Sequence, residues 1–331
     1  VREDDIRPKP LLDEFFARLA RDAARLAAQW DAFVDVPCQF CGETSERSSF
    51  VKQGFTYREC ASCGSLWTSP RPTNAQLIEY LAHSEAVEFW STHFYRQTAD
   101  ARRAQIFRPR ASRIVALADQ LSLPADAVCA DIGAGYGLFL LELLPHARFG
   151  RLVAVEPDVR LAGICREHGF PVVEQWIESV DDGAVGADLA TAFEVLEHVF
   201  DPCAFLRSAA KAVRPGGVLF FSTLAASGFD IQVLWEHSRS VTPPQHLNFP
   251  TIDGLSRLVA RAGLEVVEIT TPGRLDVDIV RNRAMAEPDL PLPRFARTLA
   301  TADEAAREAV QATLSRHLLS SHVQCVARRP A

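Results

Sequence analysis

VCADIGAGYG, residues 128–137, joins a buried-strand pattern to a turn made of glycines. Val128, Ala130 and Ile132 alternate as strand residues do, and Asp131 stands near the carboxyl end of that strand. Gly133, Gly135 and Gly137 then let the backbone turn tightly and approach a ligand closely. The apolar run from Leu138 to Leu144 starts a helix. Strand, glycine turn and helix together form the nucleotide-binding corner of a doubly wound α/β sheet. A dinucleotide fingerprint would read G-x-G-x-x-G, but here the third glycine comes one residue early and Leu138 takes its place.

Outward from this corner the pattern repeats. Strands are expected at Val128 to Ile132, Leu152 to Glu156, Val172 to Val173, Asp188 to Phe193 and Val218 to Ser222. Helices near 137–147, 158–168 and 201–213 separate them, and such alternation predicts a parallel sheet with right-handed crossovers. A helix near 251–262, a strand at Leu264 to Thr270, a helix near 302–318 and a closing strand HVQCVARR follow. Glu156, followed by Pro157, ends the second strand twenty-five residues after Asp131, where a carboxylate can accept hydrogen bonds from both ribose hydroxyls.

Upstream, Cys38, Cys41, Cys60 and Cys63 form C-x2-C-x18-C-x2-C, with Gly42 and Gly64 after the second cysteine of each pair. Two such knuckles around the β-rich stretch SSFVKQGFTYRE read as a zinc ribbon. With thiolate at all four positions, the metal is expected to be structural, worth about 10 kcal/mol to a module too small to fold on its core alone. Cys129, Cys165, Cys203 and Cys325 read as small core residues. The apolar stripe Leu12, Phe15, Phe16, Leu19, Ala23, Leu26, Ala27 and Trp30 predicts an amphipathic helix, packed on the body of the protein or forming a homodimer contact. Arg96, Arg102, Arg103, Arg108, Arg110 and Arg113 mark a helical region that reads as a solvated face, or as a holder of a substrate anion. The expected organisation is an N-terminal helix (1–36), a zinc ribbon (37–72), linking helices (73–126) and a cofactor-binding core (127–331) with a lid insertion at 224–250.

The 331 residues are 48% hydrophobic and 23% charged, with a net charge of −7. This describes a globular protein and argues against a general nucleic-acid binder. No apolar run approaches a membrane span, and the charged start VREDDIRPKP leads to the expectation of a cytoplasmic protein.

The order DIGAGYG, AVEPD, ADLATAFEVLEHVFDP (187–202) and VRPGGVLFFST (213–223) resembles motifs I to VI of class I S-adenosylmethionine-dependent methyltransferases over about residues 110–275. The resemblance implies a Rossmann-like seven-stranded sheet. It also implies that Gly133, Gly135 and Gly137 face the methionine part, Asp131 lies beneath it and Glu156 binds ribose. Phe193 and Glu194 would border the sulfonium, and adenine would lie near Gln175 and Trp176. PPQHLNFPTIDGL resembles a segment of methyltransferases acting on sugars and small metabolites, and the four-cysteine ribbon resembles that of sugar C-methyltransferases. This chain departs from the latter family, with fewer than fifty residues after Asn282 in place of a large C-terminal α/β domain.

The expected reaction is methyl transfer from S-adenosylmethionine to a sugar, nucleotide sugar or related natural-product intermediate, with oxygen, nitrogen or carbon as the open choice of acceptor. Oxygen and carbon acceptors must lose a proton, which calls for a base. The candidates are His246, preferred, then His198, Glu194 and His237. Two other readings stand beside it. An RNA methyltransferase would grip its substrate through the ribbon, although Arg47, Lys52 and Arg58 are matched there by Glu43, Glu46 and Glu59. A non-catalytic adenosyl-binding partner protein would use the ribbon and first helix as interaction surfaces.

Overall fold

The computed structural model describes residues 3–331. Eleven strands, β1 (Glu46–Lys52), β2 (Phe55–Cys60), β3 (Leu66–Thr68), β4 (Val128–Ile132), β5 (Arg151–Val155), β6 (Val172–Val173), β7 (Ala187–Phe193), β8 (Val213–Leu224), β9 (Asn248–Phe249), β10 (Glu265–Thr270) and β11 (His322–Arg328), divide between two sheets. The larger has the order β10-β11-β8-β7-β4-β5-β6. β4 to β8 pair in parallel, and β11 runs antiparallel to both β8 and β10. The chain leaves β4 towards β5 and β6, then returns to place β7 on the other side of β4. That reversal opens a crevice at the carboxyl ends of β4 and β7, the place where open α/β sheets bind ligands.

The sheet is buried on both faces. Ala130, Ile132, Val153, Val155, Ala190 and Ala192 join one core with Leu206, Ala209, Leu255 and Leu258 from the helices Pro202–Ala212 and Ile252–Arg261. Cys129, Ala154, Leu189 and Phe220 join a second core with Ile114, Leu117, Phe139 and Leu140. The period-2 alternation of β4 divides its residues between these two cores. Helices start abruptly after the strands because the sequence caps them. The Asp158 carboxylate accepts from Arg160 N and Leu161 N at 2.9 and 3.1 Å, and that of Asp201 accepts from Cys203 N and Ala204 N, both at 2.9 Å.

The smaller sheet, β1-β2-β3-β9, is antiparallel throughout. Gln53 and Gly54, both at positive φ, make the tight β1–β2 turn. β9 comes from the insertion at 224–250, so the ribbon sheet is completed by a strand nearly two hundred residues away. Cys38, Phe40, Cys60, Cys63 and Trp67 share the core that contains Ala130 and Leu255, which makes the ribbon continuous with the body of the protein.

The structure bears on two expectations. Of the two readings of the stripe on the helix Lys9–Ala27, it shows packing on the protein's own body, Leu12, Phe15, Leu19, Ala23 and Leu26 lying against Phe50, Phe55, Phe89 and Phe94, while Trp30 at its end is exposed. The arginines of 94–113 divide between two settings. Arg96 and Arg108 are exposed, as on a solvated face, although Arg108 also pairs with the buried Glu142 at 3.0 Å. Arg103 pairs with the same carboxylate at 2.6 Å, Arg113 pairs with Glu268, and Arg102 lies over the rings of Trp90 and Tyr95, partners that the spacing of the arginines alone does not reveal. Cys129, Cys165, Cys203 and Cys325 are buried core residues, as expected. Among the described residues, no helix is long and apolar enough to cross a membrane.

Candidate active site

The glycine turn leaves β4 with Gly133, Gly135 and Gly137 at φ of 73°, 56° and 69°, a region that favours glycine. Gly133 N donates to Val155 O at 2.9 Å, which pins the turn to the end of β5. A Cβ on Gly133 would meet Val195 at 3.0 Å, whereas one on Gly135 would meet nothing within 4 Å. The turn is thus closed behind and open in front, a cradle that fits the methionine end of an adenosyl cofactor.

Glu156 is buried, and its two oxygens accept from Gly135 N at 2.7 Å and Asp158 N at 3.0 Å. Each oxygen keeps a second lone pair for a ribose hydroxyl. Burial raises its pKa, against the pull of these two amides. Asp131, beneath the turn, accepts from Thr191 Oγ1 at 2.7 Å, and burial pushes its pKa up to about 7. Pro157 is half-buried beside Glu156, while Trp176 is 45% exposed at the far end of the crevice. Phe193 packs edge-on against Phe139 at 4.7 Å.

Glu194 follows the last residue of β7, held at φ 55° with its carboxylate accepting from Arg110 at 3.1 Å and His322 Nε2 at 2.9 Å. Burial opposes its ionisation, but His322 and Arg110 hold its pKa well below the usual carboxylate range. A carboxylate so held is a poor proton acceptor and a good anchor. Glu197, three residues on, is driven the other way. Burial and the charge of Glu194 push its pKa up to about 8, and it accepts from Thr223 Oγ1 at 2.6 Å.

His198 and His246 meet with ring centroids 4.9 Å apart, and donor atoms of Glu197, His198 and His246 lie within 4.8 Å of one another. His246 Nδ1 is 2.7 Å from Ser240 O, and His198 Nδ1 is 2.7 Å from Gln245 O. A carbonyl only accepts, so both Nδ1 atoms carry the proton and both Nε2 atoms keep a lone pair. Burial and the neighbouring His198 push the pKa of His246 down to about 3, and burial lowers that of His198. Both rings are neutral at physiological pH. His237 stands apart, exposed beside Glu236.

Several site residues gave no separate signal in the sequence. Arg110 lies 4.6 Å over the Phe193 ring and is one of the charges that oppose the rise in the pKa of Asp131. Tyr95 stacks on Tyr136 of the glycine turn at 4.9 Å, so the helix Tyr95–Arg102 covers one side of the corner. His322 arrives from β11 at the far end of the chain. An arginine in a basic run and a histidine in a closing strand look alike whether they reach a site or not.

Cys38 and Cys63 Sγ are 3.6 Å apart and Cys41 and Cys60 Sγ 3.5 Å, with all four sulfurs within 4.8 Å of one another. These separations exceed a disulfide bond of about 2.0 Å. They match the edge of a tetrahedron built on a metal–sulfur distance of about 2.3 Å, so the donor set fits zinc.

Residues 101–269, just over half of the chain, match the family described as "Methyltransferase domain". The chain is 35% identical over 168 residues to the ubiquinone biosynthesis O-methyltransferase of Methylobacterium sp. (strain 4-46), covering 44% of this chain and 63% of that protein. Similarity to the protein of the same name from Xanthomonas campestris pv. campestris (strain B100) is 37% over 120 residues, covering 34% and 48%. The chain thus spans less than two thirds of the length of these curated relatives. Among solved structures, an S-adenosylmethionine-dependent methyltransferase from Clostridium acetobutylicum ATCC 824 aligns with a TM-score of 0.47 at 10% identity, over 72% of this chain and 99% of that one. A family match of that length, on this strand order, makes the chain a member of the class I S-adenosylmethionine-dependent methyltransferases.

Proposed function

We propose that this protein transfers the methyl group of S-adenosylmethionine to a hydroxyl of a small molecule, a sugar, nucleotide sugar or related natural-product intermediate, with His246 as general base. The observation that carries the reading is the neutral histidine pair, one ring on the loop after β7 and one just before β9, each presenting a lone pair at Nε2. When bound, the cofactor supplies an activated methyl on a sulfonium. The chain has to hold it, align the acceptor and take its proton. Gly133, Gly135, Gly137 and Asp131 would hold the methionine part and Glu156 the ribose. Phe193 and Glu194 would border the sulfonium, with Pro157 and Trp176 towards adenine. Arg110, already beside Glu194, would be the cation nearest the cofactor carboxylate.

His246 Nε2 would accept the proton of the acceptor hydroxyl while its Nδ1–H stays on Ser240 O. With so low a pKa the ring is unprotonated near neutral pH but is a weak base, so it takes the proton only as the hydroxyl oxygen bonds to the methyl group and that proton becomes acidic. An oxygen acceptor agrees with the names of the curated relatives, but the sugar class rests on the resemblance of the ribbon and the His246 segment. Cys38, Cys41, Cys60 and Cys63 would hold a structural zinc that joins the ends of the ribbon hairpin and leaves no open position for chemistry.

RNA as acceptor is disfavoured by the ribbon's own pairings. Arg47 is held by Glu59 at 3.2 Å, Arg58 by Glu46 at 2.7 Å, and Lys52 donates to Ser238 O at 2.7 Å. All three cations of the hairpin are paired within the protein. The test is turnover with a panel of sugars, nucleotide sugars and phenols, read by mass gain of one methyl group, alongside an RNA shift assay at two salt concentrations. Methylation of a sugar hydroxyl is the expected result. Methylation of phenols alone would overturn the sugar class, a salt-dependent RNA shift would favour the second reading, and cofactor binding without turnover of any acceptor would favour a binding protein.

A further inference from the structure

We propose that Arg71, acting with Asn248, is a positioning residue for the His198–His246 pair, so that the edge of the ribbon sets the geometry of the base. The inference rests on the reading of His246 as that base. Arg71 touches no candidate reacting atom. It sits just after β3, in the stretch TSPRPT, where the sequence suggests only a linker.

Arg71 is fully buried, at 0% exposure, and no carboxylate is among its hydrogen-bond partners. Its Nε donates to Thr68 O at 2.9 Å, Nη1 to Phe200 O at 2.8 Å, and Nη2 to Asn248 Oδ1 at 3.0 Å and to Leu247 O at 3.5 Å. Desolvation pushes its pKa down to about 9, which still leaves it charged at neutral pH. Removing a cation from water without a counter-ion is costly, and a neutral side chain would tether a linker at lower cost. What the guanidinium adds is reach: a planar fork with donors aimed at three segments at once.

One of these segments is β3 of the ribbon, and the other two are the ones that carry the histidines. Phe200 lies two residues after His198, and Leu247 and Asn248 follow His246 directly. Asn248 extends the brace by donating from Nδ2 to Val199 O at 2.7 Å and to Leu196 O at 3.3 Å. Leu247 N donates to Glu197 O at 2.8 Å, and Tyr57 of β2 donates to His246 O at 2.7 Å. Both loops therefore hang from the ribbon edge, and Arg71 and Asn248 supply five of the bonds that hold them there, beside those of Leu247, Tyr57 and His198. The glycine corner and Glu156 share none of these bonds.

The test uses the full chain as Arg71→Met, Arg71→Lys and Asn248→Leu. Three readouts are compared with the wild type: kcat and KM, cofactor affinity by calorimetry, and the exchange-protected Nδ1–H signals of His198 and His246 in NMR spectra. Arg71→Met is expected to lose about 100-fold in kcat, the scale of a displacement near 1 Å, and to lose the protected imidazole signals. Cofactor affinity should be unchanged. Arg71→Lys, which keeps the charge but not the fork, should fall between, and Asn248→Leu should show the same pattern as Arg71→Met.

Imidazole signals that stay protected in Arg71→Met, or cofactor affinity and kcat that fall together in all three variants, would overturn the proposal. If Arg71→Met does not fold, Arg71→Lys and Asn248→Leu carry the same comparison. Full turnover in His246→Gln would instead reject the base, while the imidazole signals continue to test the brace.

Discussion

The cofactor corner and the ribbon–loop junction are built by opposite means. The corner uses two short stretches, 128–137 and 151–158, and its bonds run between backbone and one side chain, as in Gly133 N to Val155 O and Gly135 N to Glu156. The junction gathers residues from β2, β3, the loop after β7 and β9, with bonds as distant in sequence as Tyr57 to His246. Backbone demands write themselves into the sequence as glycines at fixed spacing. Long-range side-chain bonds leave only single residues of ordinary type. In the proposed function the comparison also divides the labour, with cofactor binding at the corner and the base at the junction.

The largest expected effect separates the two regions by removing the proposed zinc. Chelation of the loaded protein, or Cys60→Ser, should unfold the hairpin β1–β2 and release β9 with it, since structural zinc supplies about 10 kcal/mol to such modules. Turnover should disappear while calorimetry still detects cofactor binding. Hydrogen exchange would locate the loss in residues 37–70 and 245–249. Loss of cofactor binding in step with the ribbon would mean that the corner depends on the junction, and the division of labour would be wrong.

Glu156→Gln attacks the other side. Replacing a buried carboxylate that accepts two amide bonds should weaken cofactor binding by about 10- to 100-fold, the range of a charge-assisted hydrogen bond. The ribbon should keep its exchange protection, and kcat at saturating cofactor should fall much less than affinity. A variant that binds as well as the wild type would remove Glu156 from the ribose site.

The same contrast explains what the sequence let one read. DIGAGYG, AVEPD and FEVLEHVFDP place β4, β5, β7 and the capped helices within a residue or two, because period-2 alternation, positive-φ glycines and aspartate caps are local requirements. The cysteine spacing brings four sulfurs together for the same reason. β9 was not visible as a strand: two residues, Asn248 and Phe249, pair with β3 only because the insertion is carried to the ribbon. Arg71, Arg110 and His322 fail in another way. Each is a common residue whose role depends on a partner elsewhere, the buried Asn248 for the first and the half-buried Glu194 for the other two. The N-terminal stripe shows the limit of periodicity, which signals that a face is buried but not by what.

The smallest effect concerns a buried acid in each region. Asp131 at the corner and Asp230 at the start of the helix Phe229–Leu234 are both pushed up to about 7 by burial. Asp131 accepts from Thr191, whereas Asp230 is faced by Asp276. Asp276 takes the donors at hand, Ser320 Oγ and Ser321 N at 2.6 Å and Gln311 Nε2 at 2.8 Å, which leaves the proton to Asp230. The native pKa of Asp230 lies above its ordinary value of 3.8, so the native state binds the extra proton between about pH 4 and 7. Its contribution to stability is complete below that window and is lost as pH rises through 7. Asp230→Asn fixes the neutral form, keeps the shape and offers an amide hydrogen to Asp276. Thermal unfolding should show Tm at pH 8 raised by about 2–4 °C, roughly 1 kcal/mol for a domain of this class, with little change at pH 5. An equal shift at both pH values would mean that packing, not the proton, governs this end of the insertion, and a lower Tm at pH 8 would mean that Asp230 is ionised and bound by a partner that its neutral form cannot keep.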